Sequence, residues 1–199
     1  MVANETGMPR AMHPAAHHAL RELSAAGRHL TEHWSVLAGR LAGPESVVLR
    51  AGADSAAGML TELYPMGAAR DVPLEPAADA LGAALGGVRG RLADRFLERN
   101  QALRAAVLDV QHVTTLLAYV EALVRNDGDD ELADACAGWQ ERLWAHENAA
   151  RGLAIAAAED PDQAIAPADG SPVGRAAHRV ASVAGAAGEW VDRQTGSAT

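Results

Sequence analysis

A chain of 199 residues, 49% of them apolar, is long enough for one hydrophobic core and too short for two ordinary domains. Its net charge of -9 opposes binding to nucleic acid or anionic lipid, which need clustered positive charge, and the basic side chains, all arginine, form no cluster that reverses this. A single cysteine, Cys136, excludes an intrachain disulfide and a thiolate-rich metal site, and fits a reducing, cytoplasmic setting.

The apolar content is carried by Ala, Leu and Val, with aromatic residues only 4% of the chain, which favours helices over strands. The expected fold is all-α, a bundle of about five helices with one long, kinkable central helix. The absence of lysine and the richness in Ala and Gly resemble coding bias from a GC-rich bacterial genome. Residues 1–14 read as a flexible tail, lacking the basic head and apolar run of an export signal, and no stretch approaches the ~20 apolar residues that span a bilayer. Residues 15–194 read as one domain, followed by a short tail at 195–199.

In chain order, Ala19, Leu23, Ala26, Leu30, Trp34, Leu37 and Leu41 recur every three or four residues and predict a helix over 15–42, ended by Gly43 and Pro44. Pro44 suits the first turn of a second helix with an inner face of Val48, Gly52, Ser55, Met59 and Leu63. Residues 64–74, with Pro65, Gly67 and Pro73, predict a loop. From Leu81 through Val88, Leu92, Phe96, Leu103, Val110, Leu117 and Val124 the apolar phase is continuous, predicting one long helix with a weak point at Gly86, Gly87 and Gly90. Its second half carries another stripe, Leu108, Leu116, Tyr119 and Leu123, so it should be buried on both faces or offer one to a partner.

Asp129 or Asp130 caps the next helix, whose inner stripe is Leu132, Ala135, Cys136, Trp139, Leu143, His146, Ala150 and Leu153. Residues 160–172 predict a loop, and 173–193 a last helix with a small-residue face. Trp144 falls away from the inner stripe of its helix, either covered by another helix or available to a partner.

Candidate chemistry lies on the first and the central helix. His18, Glu22, His29 and His33 project within about 60° of one another, and His29 and His33, four residues apart, can reach one metal ion from a single turn. The simpler reading is a solvated, histidine-rich flank. His29 to His33 also matches the H-x-x-E-H pattern of inverted zinc metalloproteases, but those enzymes surround it with an α/β domain that nothing in this chain predicts.

Asp109, His112 and Glu121 fall on or beside apolar stripes and must be paired, exposed or bound to an ion. Bundles that hold two iron or manganese ions use inward carboxylates with E-x-x-H pairs. Asp109 to His112 is a near match with Asp for Glu, but no E-x-x-H occurs anywhere, so a ferritin-like pattern is incomplete. A short turn at 126–130 should place His146 beside Val110, near Asp109 or His112, making a buried Asp–His pair the simplest expectation.

The leading expectation is a non-enzymatic bundle acting by association, as a homo-oligomer or with a protein partner, through Trp144, Leu108, Leu116, Tyr119 and Leu123. The alternative is a bundle that binds iron, manganese or zinc, with redox use open, through some of Glu22, His29, His33, Asp109, His112, Glu121 and His146. A third is a small-molecule pocket beside Asp109, His112 and Tyr119.

Overall fold

The computed structural model describes residues 12–74, 97–176 and 178–179. The chain is all-α: among these residues there are four long helices, α1 (Pro14–Arg40), α2 (Pro44–Ala68), α3 (Arg99–Asn126) and α4 (Asp130–Ala156), then a 3-10 turn (Ala157–Glu159) and a short α5 (Pro161–Ala164). The helix starts follow from side chains that satisfy free N–H groups. His13 Nδ1 accepts from Ala15 N at 3.1 Å, with Pro14 at the first helical position. Glu98 and Gln101 form a capping box at α3, and Asp129 Oδ1 accepts from Leu132 N at 3.2 Å at α4.

Three sequence expectations are corrected. Residues 64–68 are helical, not loop: α2 runs through Pro65, and the lost N–H falls close to the helix end, where Ala69 N still bonds Pro65 O at 3.0 Å. The chain then folds back so tightly that a Cβ on Gly67 would lie 2.4 Å from Leu74 Cδ1. The apolar phase from Leu81 to Val124 is not one helix, because α3 begins at Arg99 and Glu98 is extended. The cause is tertiary: Arg99 N bonds Ala166 O at 2.8 Å and Ala168 N bonds Leu97 O at 3.1 Å. Residues 160–172 therefore contain α5 and a tether to α3 rather than loop alone. The expected tail at 1–14 ends earlier, since His13 caps α1 and Pro14 opens it, and the expected last helix has its start at residues 172–176 and 178–179; residues 1–11, the Gly86 to Gly90 weak point and the helix beyond 179 lie outside the described residues.

Cross-links set the directions. Trp34 Nε1–H donates to Ala106 O at 3.1 Å and His13 N–H to Asp127 Oδ2 at 3.1 Å, so α1 and α3 are antiparallel. Ser46 Oγ–H donates to Ala38 O at 2.7 Å in the α1–α2 hairpin. Trp139 Nε1–H donates to Glu62 Oε2 at 2.7 Å and Arg70 clamps Asp129, making α2 and α4 antiparallel. Each helix thus packs on two antiparallel neighbours, with α1 opposite α4 and α2 opposite α3 on the diagonals. This up-down-down-up order, in which α2 and α3 run the same way, is one of the connectivities of four-helix bundles.

The core holds Trp34, Trp139 and leucines from all four helices. Trp34 sits so close to α2 that a Cβ on Gly52 would lie 2.1 Å from its ring. By length and composition α3 could cross a membrane, with mean hydropathy 1.3 over its apolar window, but it is one of four equivalent members of the bundle, not the expected central helix, and carries both Asp109 and His112. Its second stripe divides: Leu116 is buried and Leu123 half-buried, whereas Leu108 and Tyr119 are 65% and 51% exposed. Leu116 lies within about 20° of Asp109 around α3, while Leu108 and Tyr119 point together about 80° or more away from that direction.

Candidate metal centre

Glu22, His29 and His33 are seven and four residues apart on α1, so they line one side of it. Asp109 and His112 are one turn apart on α3. The antiparallel seam, pinned by the Trp34 bond immediately after His33, brings the two sets face to face. The structure therefore joins five of the seven candidate ligands along one seam.

His33 Nδ1 is hydrogen-bonded to Asp109 Oδ2, and His29 Nε2 lies 3.7 Å from Asp109 Oδ1. The two imidazoles stack at 5.6 Å between centroids with 25° between planes. One ligand atom from each of His29, His33 and Asp109 falls within 4.8 Å of the others. The site is graded from inside to outside: side-chain exposure is 9% for His33, 20% for Asp109 and 54% for His29.

The Asp109 carboxylate beside it raises the His29 pKa above 6.5, against the opposing effect of burial and of the neighbouring His33, with Glu32 adding a smaller upward pull. At Asp109 burial is the largest single influence and pushes the carboxyl up, but the bonds and charges of His29 and His33 together outweigh it and hold it below 3.8. The carboxylate is thus held in its charged form, bonded to one imidazole and 3.7 Å from the other.

Glu22 and His112 continue the same seam, with Oε1 and Nε2 3.7 Å apart and both side chains more than half exposed. Such a solvated pair contributes little to stability alone. Glu121 does not join: it pairs with Arg125 at 3.0 Å, and Arg125 also reaches Asp134 at 3.3 Å. Nor does His146, which is half-buried and whose pKa burial lowers. The expected Asp109–His146 pair is replaced by Asp109 with α1, because adjacent residues project about 100° apart on a helix and a side chain opposite Val110 does not face Asp109.

Burial pushes the Cys136 thiol up to about 12, so it stays protonated in the core and is no ligand. Sequence reasoning missed the buried carboxylates of Glu45 and Glu147, which Arg99 and Arg151 neutralise at 2.5 and 2.6 Å. The i,i+4 spacing of Glu147 and Arg151 was the available signal for the second. An open groove of about 930 Å³ lies on the α4 flank of α3, lined by Gln111, Thr115, Gln140, Trp144 and Glu147 among others, and not by Asp109, His112 or Tyr119.

Comparison with protein-family models, curated proteins and solved structures finds no match for this chain. The site itself departs from both motif patterns. The Asp109 and His112 pair is divided between two partners, Asp109 with the α1 histidines and His112 with Glu22, unlike a ferritin-like E-x-x-H ligand pair. The two histidines of H-x-x-E-H converge on a carboxylate, yet from an all-α bundle.

Proposed function

We propose that the protein binds one divalent transition-metal ion between α1 and α3 through His29, His33 and Asp109. The observation that carries this reading is the convergence of the three ligand atoms within 4.8 Å from residues on two helices. Two imidazoles and a carboxylate form a donor set used for zinc and for non-haem iron. Donors that share an ion at about 2.0–2.2 Å lie at most roughly 4 Å apart. The cluster therefore closes when half-exposed His29 moves inward and the His33–Asp109 hydrogen bond opens to admit the ion. Iron, manganese and zinc are the candidate ions.

Metal analysis of protein purified without a histidine tag, combined with melting curves, tests the proposal. Near-stoichiometric metal is expected. An ion at 100 times its dissociation constant stabilises by ~2.7 kcal/mol, which for a chain of this length raises Tm by roughly 5–10 °C. Trace metal and a Tm unmoved by zinc, manganese and ferrous iron would remove it.

Association is the second reading, favoured by Leu108, Tyr119 and Trp144, which are 65%, 51% and 58% exposed on the outer side of α3 and α4. Light scattering over a concentration series tests it, and a monomer throughout discards the homo-oligomer.

A further inference from the structure

We infer that the ion held by His29, His33 and Asp109 keeps a coordination position open to solvent and takes a small anion there, making the site a ligand-exchanging centre rather than a closed structural one. This rests on the metal-binding reading above and goes beyond it by naming what completes the coordination. Structural zinc ions are closed by four protein ligands, whereas reactive ones have three and an exchangeable fourth. Among the described residues the cluster offers three donors.

The three differ in exposure: His33 and Asp109 are the inner donors at 9% and 20%, and His29 forms the solvent edge at 54%. Any remaining position on the ion therefore faces outward. Glu22 and His112, further along the same two helices, lie 3.7 Å from each other and are 59% and 55% exposed.

Charge sets the class of ligand. A dication bound by two neutral imidazoles and one carboxylate keeps one net positive charge, which favours an anionic oxygen or nitrogen donor: hydroxide, azide or the carboxylate of a small acid. His112 on the rim has a ring nitrogen that can donate to such an anion.

The test uses the full chain, stripped of metal and loaded with cobalt(II), whose visible bands report its ligands. One equivalent of cobalt should bind, and His29→Ala, a change at an exposed position, should abolish the bands while the metal-free melting curve still shows a folded protein. Adding sodium azide at constant ionic strength should then shift the wild-type bands saturably, and His112→Ala should keep the cobalt bands but change the azide affinity several-fold. Cobalt bands that ignore excess azide overturn the open position while leaving the ion site standing. Absence of cobalt bands in the wild type overturns the site and this inference with it.

Discussion

Along the α2–α4 seam the polar contacts join a permanent donor to a carboxylate: Arg70 to Asp129 and Glu131, Arg142 to Glu62, and the Trp139 indole to Glu62. Along the α1–α3 seam the Trp34 indole bonds the Ala106 carbonyl, but the side-chain pairs join histidine to carboxylate: His33 and His29 to Asp109, and His112 to Glu22. Arginine and indole do not titrate near neutrality and do not ligate metals, so the donors of the first seam stay fixed. Histidine exchanges its proton near neutrality and ligates metals, so the second seam can change state. The same bundle thus carries one seam whose donors are fixed and, beside the proposed ion site, one whose donors titrate.

The strongest way to break the comparison is to cut each seam in turn. Trp139→Ala removes a side chain 1% exposed and should destabilise by about 3–5 kcal/mol in urea unfolding, with metal bound per folded chain unchanged. Asp109→Asn should do the reverse: metal affinity falls by more than ~100-fold by titration calorimetry, while stability without metal drops by only about 1 kcal/mol.

The pH dependence sharpens the contrast. His29 is raised from 6.5, so its contribution is fully present below that value and is lost as pH rises through the raised one. Asp109 is depressed from 3.8, so its contribution is present above that value and is lost as pH falls through the depressed one. The metal-free protein should therefore lose Tm relative to Asp109→Asn as pH rises above neutrality. Metal affinity should move the opposite way and strengthen with pH, since the ion requires neutral imidazole. A metal-free Tm difference between the two proteins that stays flat from pH 6 to 9, a range that runs from about 0.5 below to about 2.5 above the ordinary imidazole value, contradicts the assigned pair. The smallest effect is expected at the rim: Glu22→Gln should change stability by less than ~0.5 kcal/mol by thermal unfolding.

Much of the scaffold was legible because burial repeats with the helical period: Leu23, Leu30, Trp34 and Leu37 on α1, and Leu132, Cys136, Trp139 and Leu143 on α4, are buried as their spacing requires. The start of α3 was not, because apolar phase cannot report the backbone bonds from residues 166 and 168 that hold Leu97 and Glu98 out of the helix. The site was half legible. His29 and His33 stand out as an i,i+4 pair, and Asp109 as a charge beside an apolar stripe. Their meeting is a tertiary event across 76 positions between His33 and Asp109. The short turn after α3 identifies α4 as one neighbour and carries no information about α1, which is why the sequence points Asp109 at His146 and not at the α1 histidines.

Titration calorimetry with zinc on the metal-free wild type, Asp109→Asn and His29→Ala proteins, side by side, tests the division between seams most directly. One ion bound per wild-type chain with proton release, and binding abolished in both variants, is the expected result. Equal binding in all three proteins, or none in the wild type, contradicts it.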